Sequence, residues 1–184
     1  MLPESRIVAR LLVEGVDMDG WKRAIERENA LQKRSIAAAG RQANLIRNRL
    51  QLMDREHWQL IVNASASVAT HALLASAVKH SRLLADFMDI ALRDLHRRME
   101  LTIPTSCWPQ FLEGCAARDR DMPEWSETTQ KKLRKTTFQI LAQAGYLSDT
   151  RKLGLQHVDL APEVRSYLLS HDEHSVLRCL EVSP

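Results

Sequence analysis

Between residues 36 and 53, apolar side chains recur at steps of three, four, three, four and three: Ile36, Ala39, Ala43, Ile46, Leu50 and Met53. An α-helix turns once in about 3.6 residues, so this spacing lines all six on one stripe. A stripe must be buried, and this alternation of threes and fours suits packing against other helices. The run is too short for a free coiled coil. It predicts a helix inside a bundle, with Arg41, Asn44 and Arg47 off the seam and turned to solvent or to a ligand.

The rest of the chain agrees with a mainly α fold. Its 184 residues include only six glycines and six prolines, while charged residues reach 27%. Few turn formers and many helix formers point the same way. A short helix is expected over residues 5–14, stopped by Gly15, and a second over 21–30 with Asp19 as its N-cap. Ser35 is the expected cap of the seam helix. The Ala- and Ser-rich stretch 56–79 predicts one long central helix. Its most apolar part, 60–78, is interrupted by Asn63, Ser65, Ser67, Thr70, His71 and Ser76, too polar for a membrane span. Further helices are expected over 81–99 and 106–117.

The polar loop RDRDMPEW marks an expected domain boundary, with a helical bundle over 1–120 and a smaller region over 121–184. In the latter, Ser126 caps a helix over 127–144, and Gly145 ends it. Tyr146 and Leu147 open a short strand, Arg151 and Lys152 sit at a loop tip, and HVDL (157–160) returns. Pro162 begins a last helix, and VLRCLEV reads as a closing strand. Helix followed by a basic-tipped hairpin resembles a winged helix. An ordinary α+β cap on a bundle reads the same way.

Net charge is only +3, but it is unevenly spread. Residues 20–50 hold eight cations (Lys22, Arg23, Arg27, Lys33, Arg34, Arg41, Arg47 and Arg49) against Glu26 and Glu28. Over 54–100, six cations meet six acids. A second basic cluster is Lys131, Lys132, Arg134 and Lys135. On a helical wheel, Lys131, Arg134 and Lys135 face away from Leu133, Ile140 and Ala144. Cations anchored in this way suit a polyanion, whose released counterions would make binding strongly salt-dependent. The candidate nucleic-acid contacts are therefore Lys33, Arg34, Arg41, Arg47, Lys131, Lys132, Arg134 and Lys135. A solvated helix face is the bland alternative for either cluster.

Signals of catalysis are poor. The chain has no P-loop, no G-x-G-x-x-G and no G-x-S-x-G. Its three cysteines, Cys107, Cys115 and Cys179, match no zinc spacing and read as reduced thiols. HDEH (171–174) offers two imidazoles, short of a metal site, and His71 reads as a hydrogen-bonded core histidine. Asp86 and Asp89 read as ion-pair partners of Arg82 and Arg93. No catalytic residue, metal ligand or cofactor is assigned. No signal peptide is evident, which together with the thiols gives an expectation of a cytoplasmic protein.

Several blocks resemble one family. SRIVARLLVEG (5–15), W-x-x-A-I-x-x-E-N-x-L-Q-K-R-S (21–35) and R-Q-A-N-L-I-R-N-R-L (41–50) are similar to BrxA proteins. So are W-P-Q-F-L (108–112), W-S-E-T-T-x-K-K-L (125–133) and A-G-Y-L (144–147). The resemblance runs from Ser5 to about Leu169, and 21–50 is its most specific part. BrxA proteins are small components of BREX bacteriophage-exclusion systems. The resemblance implies a non-catalytic cytosolic protein that binds double-stranded DNA and works beside other BREX proteins, among them a methyltransferase that marks host DNA. It also implies a fold partly like that of the antitermination factor NusB, a helical RNA-binding bundle. Two alternatives stay open: a protein–protein adaptor within the BREX assembly, and an RNA binder.

Overall fold

The structure, a computed structural model, describes residues 2–182. It is mainly α-helical, and the described residues form two compact units that the chain visits in turn. One unit comprises Met1–Ser81 and Leu160–Leu177; the other comprises Arg82–Asp159 and Arg178–Pro184. No helix among the described residues is long and apolar enough to cross a membrane.

In the first unit, α1 (Leu2–Glu14) packs against α3 (Ile36–Leu50), α4 (Arg55–Asn63) and α5 (Ala66–His80). The seam of α3 is buried from Ala39 through Ala43, Ile46 and Leu50 to Met53. Ile36 departs from it and is 62% exposed at the start of the helix, directly after the Ser35 cap. Ser35 caps as expected, accepting the Ala38 N–H at 3.2 Å. α2 (Met18–Lys22) starts earlier than expected. Its cap is Asp17 rather than Asp19, and it widens into a π-helical turn over Arg23–Arg27.

The single helix expected over 56–79 is two helices, α4 and α5. Ala64 is extended, and Ser65 starts α5 by accepting the Val68 N–H at 3.3 Å. The carbonyls freed by the break are not left bare. Arg6 donates from Nε to the Ile61 carbonyl at 3.1 Å and from Nη2 to the Ala64 carbonyl at 2.6 Å. A long-range cation thus stabilises a helix end that local sequence would continue. α10 (Pro162–Ser170) carries Pro in its first turn, as expected, and its start is held by the Ala161 N–H on Nδ1 of His71 at 3.1 Å.

In the second unit, α6 (Arg82–Asp86), a π-helical stretch (Phe87–Leu92) and α7 (Arg93–Arg97) follow without a break. Phe87, fully buried, meets Phe111 edge-on at 5.1 Å, Trp108 at 5.5 Å and Phe138 at 5.7 Å. Trp108 and Phe111 lie on α8 (Cys107–Arg118), and Phe138 lies on α9 (Glu127–Gln143). The boundary expected between residues 120 and 121 falls inside this unit, because α8 and α9 share one aromatic core.

After α9, Gly145 takes φ +87°, the expected left-handed stop. Among the described residues the pairing beyond it is limited to isolated bridges, Leu147 with Leu155 within the hairpin and Thr102, which precedes α8, with Gly154. The return runs through 154–156, where the Gln156 N–H meets the Tyr146 carbonyl at 3.0 Å, and not through HVDL. VLRCLEV is largely helical, within α11 (His174–Leu180), where the division between the units also falls. The Tyr146 hydroxyl donates to the Leu180 carbonyl at 2.7 Å, tying the last residues to the hairpin's start.

Candidate nucleic-acid interface

The eight candidate cations divide between the units, four on each. In the first unit they are not equivalent. Lys33 lies in a loop fastened on both sides: its N–H donates to Asn29 Oδ1 and its carbonyl accepts from Asn29 Nδ2, both at 2.9 Å. Its ammonium is paired with Glu4 on α1 at 2.6 Å. That hydrogen bond holds the Glu4 carboxyl below its ordinary value, against the opposing effect of burial. Arg47 is half-buried, with its guanidinium carbon 4.7 Å from the centre of the buried Trp21 ring and Nη1 3.8 Å from Met18 Sδ. Lys33 and Arg47 therefore brace the fold. Arg34 and Arg41 are exposed, and among the described residues neither has an ion-pair partner.

In the second unit, α9 starts where Ser126 Oγ accepts the Thr129 N–H at 3.3 Å. Its inner face is Thr137, Phe138, Leu141 and Ala144, all buried, with Leu133 and Ile140 half-buried. Lys131, Lys132 and Lys135 are exposed on the remainder. Lys131 pairs with Glu127 one turn back at 2.6 Å and draws that carboxyl below its ordinary value. Both partners are well exposed, so the pair is loosely held by water-screened attraction. Arg134 is half-buried, its guanidinium 5.2 Å from the centre of the Phe138 ring. The wheel placed it fully outward; the long side chain instead lies along the ring and offers its donors at the edge.

Lys131, Arg134, Lys135, Phe138 and Gln139 line one side of a pocket of about 270 Å³, and Thr150 lines the other. Spacings of i, i+3, i+4, i+7 and i+8 make the helical wall a single stripe. Thr150 belongs to a tight turn in which the Asp149 carboxylate accepts the Arg151 and Lys152 N–H groups, each at 2.6 Å. Those backbone bonds hold the Asp149 carboxyl below its ordinary value. Sequence reading marked the basic tip, Arg151 and Lys152, but did not join it to α9. Phe138, Gln139 and Thr150 escaped it altogether, since only the reversal after Gly145 brings the turn back to the helix.

The other polar groups flagged in the sequence have structural partners. His71 accepts the Ala161 N–H, as a satisfied core histidine does. Asp89 receives Arg93 at 3.1 Å and Arg178 at 2.9 Å, and Asp86 pairs with Arg82 at 3.8 Å. Burial pushes all three cysteine thiols up, Cys179 to about 11, so they remain protonated and weakly nucleophilic.

Comparison with known proteins gives concordant results. The profile of the family described as BrxA matches residues 1–172. A protein named BREX protein BrxA from Paramagnetospirillum magneticum (strain ATCC 700264 / AMB-1) is 46% identical over 182 residues, covering 99% of this chain and 92% of that protein. Its namesake from Escherichia coli O9:H4 (strain HS) is 30% identical over 181 residues, covering 98% of this chain and 85% of that one. A crystal structure of an uncharacterised protein from Magnetospirillum magneticum superposes with a TM-score of 0.90 at 45% identity, covering 99% of this chain and 93% of the other.

Proposed function

The chain belongs to the BrxA family, components of BREX phage-defence systems, and from that premise we propose that it binds double-stranded DNA in the cytoplasm without chemistry of its own. The observation that carries the reading is the α9 face. A helix locked into an aromatic core presents Lys131, Lys132, Arg134 and Lys135, beside a turn carrying Arg151 and Lys152. Cations held on a rigid element lose little entropy on meeting phosphates, and their contacts carry no base information. Of the four candidates in the first unit, Arg34 and Arg41 are the two available to a duplex. Lys33 and Arg47 act there chiefly as struts. Thiols whose pKa values are raised, two of them (Cys115 and Cys179) buried, support the non-catalytic part of the reading.

A salt titration tests this. If about six phosphates are neutralised, log K falls against log salt with a slope of roughly −5. Charge reversal of Lys131, Lys132, Arg134 and Lys135 to Glu should abolish binding at physiological salt, with circular dichroism showing the variant folded. Arg34→Glu with Arg41→Glu should flatten the slope by about two. A salt-independent affinity defeats the electrostatic account.

A second reading, an adaptor docking other BREX proteins, is favoured by a groove of about 700 Å³ in the second unit. Its walls are the π-helical stretch with α7 on one side and α8 on the other. Arg97 and Arg118 line it without a carboxylate partner among the described residues, next to Ile90, which is 42% exposed. Asp89 and Asp94 also line it but are paired with Arg93, Arg178 and Arg98. The lining thus keeps an excess of arginine, which with an exposed aliphatic side chain suits an acidic protein surface. A gel shift with purified protein separates the two readings, because an adaptor alone leaves the duplex free. Competition between duplex DNA and RNA disposes of the RNA alternative.

A further inference from the structure

The geometry of the α9 pocket points to a phosphomonoester site, and we propose that it holds the 5′-terminal phosphate of a nucleic-acid strand. This rests on the nucleic-acid reading above and adds a strand end to the duplex as ligand. A phosphate in the middle of a strand is a diester with chain leaving on both sides, and it carries one charge. Such a group lies along an open basic surface. The space between α9 and the 149–152 turn is instead a concavity of about 270 Å³, just under the range typical of drug-sized ligands. A monoester enters it with a single chain to accommodate. It brings three terminal oxygens and about −1.5 to −2 of charge at neutral pH.

The lining matches that group. Lys131, Arg134 and Lys135 supply three cations; Gln139 and Thr150 supply an amide and a hydroxyl; no carboxylate lines the pocket. Both walls are set before a ligand arrives. Arg134 lies against Phe138, which is fixed by its packing on Phe87 and Trp108. Thr150 sits in the turn clamped by Asp149, whose carboxylate is already taken up by two backbone N–H groups. The Lys131 pair with Glu127 is solvent-screened, so an entering dianion displaces it readily. Charge-assisted hydrogen bonds from a planar, pre-oriented guanidinium are the strong kind for phosphate.

The test is fluorescence anisotropy on one duplex sequence in three forms: closed by hairpins at both ends, blunt with 5′-hydroxyls, and blunt with 5′-phosphates. The expected result is a preference of at least about tenfold for the phosphorylated over the hydroxyl ends, the effect of one net charge-assisted hydrogen bond. Thr150→Val combined with Gln139→Leu should reduce that preference several-fold, while affinity for the closed duplex, which rests on the α9 cations, changes far less. Equal affinity for the two blunt forms overturns the inference; if the closed duplex still binds, the duplex reading stands. Binding of phosphorylated ends without binding of the closed duplex supports the pocket and overturns the duplex reading. A free 5′-mononucleotide and inorganic phosphate, added as competitors, distinguish the sources. If the mononucleotide saturates the pocket while the blunt forms bind alike, the site serves a free nucleotide and the strand-end assignment fails.

Discussion

His57 shows what one buried titratable residue does to this fold. Its side chain is fully buried, with the ring 5.0 Å from Tyr167, and burial pulls its pKa to about 4, although the Ala72 backbone and the Asp54 carboxylate act against the drop. An unfolded histidine takes up its proton near pH 6.5, so below that pH the unfolded chain is favoured until the folded ring also protonates. Stability should fall by about 3 kcal/mol as pH drops from 6.5 to 4. His171, stacked 4.2 Å from Tyr167 and bonded to Asp54 at 2.8 Å, shifts the other way. A hydrogen bond to the Tyr167 carbonyl leads the causes of its raised pKa. Its contribution is complete below the unfolded value and is lost as pH rises through the folded one. Chemical denaturation across pH should therefore show an acid limb that His57→Leu flattens and His171→Gln leaves in place. An unchanged limb in His57→Leu places the sensitivity elsewhere. Nothing in the sequence marks His57 as buried, and only coordinates show whether an inward imidazole finds a hydrogen-bond partner, as His71 does.

At the scale of single helices, the sequence is a good guide to where helices lie and a poor one to how they end. The seam of α3 from Ala39 onward, the Ser35 and Ser126 caps and the Gly145 stop are local features, and each appears where spacing and residue type place it. Ser126→Ala should accordingly cost about 1 kcal/mol of stability, read from a thermal melt, with the salt slope of DNA binding unchanged. A loss of binding with no loss of stability would show Ser126 to be a ligand contact instead. One error has its cause in a distant contact. α4 and α5 separate because Arg6, more than fifty residues away in sequence, takes the carbonyls at the break. VLRCLEV has the β-branched and apolar composition of a strand, yet Val176, Leu177 and Leu180 are buried at helical spacing. The two π-helical stretches leave no trace in a pattern that is read at 3.6 residues per turn. The same limit governs the site. Lysine and arginine positions were readable, but Glu4 under Lys33, Trp21 under Arg47 and Thr150 opposite α9 were not.

At the scale of the whole molecule, the order of segments along the chain decides what can fold alone. A boundary at residue 120 suggests a bundle that could be expressed as residues 1–120. The first unit, however, includes α10, which such a fragment lacks. α10 buries Val164, Tyr167 and Leu168, and its Tyr167 hydroxyl donates to Asp54 at 3.0 Å. Asp54 is also the cap of α4, accepting the His57 N–H at 3.1 Å. Without α10, His71 loses the donor from Ala161, and His57 loses the ring that covers it. Three large side chains removed from a core each cost several kcal/mol, against a total stability of about 5–15 kcal/mol. The fragment 1–120 should therefore keep helical circular dichroism but melt without a cooperative transition, and its histidine amides should exchange freely. A synthetic peptide spanning residues 160–180 should restore a cooperative melt when added in excess, because it returns the missing helix and its start on His71. If the fragment melts as sharply as the full chain, α10 is dispensable and the two interleaved units do not describe the cooperative structure. The same logic protects the binding experiments: a charge reversal on α9 stays within the second unit, and its effect on DNA affinity can be read without disturbing the core that α10 completes.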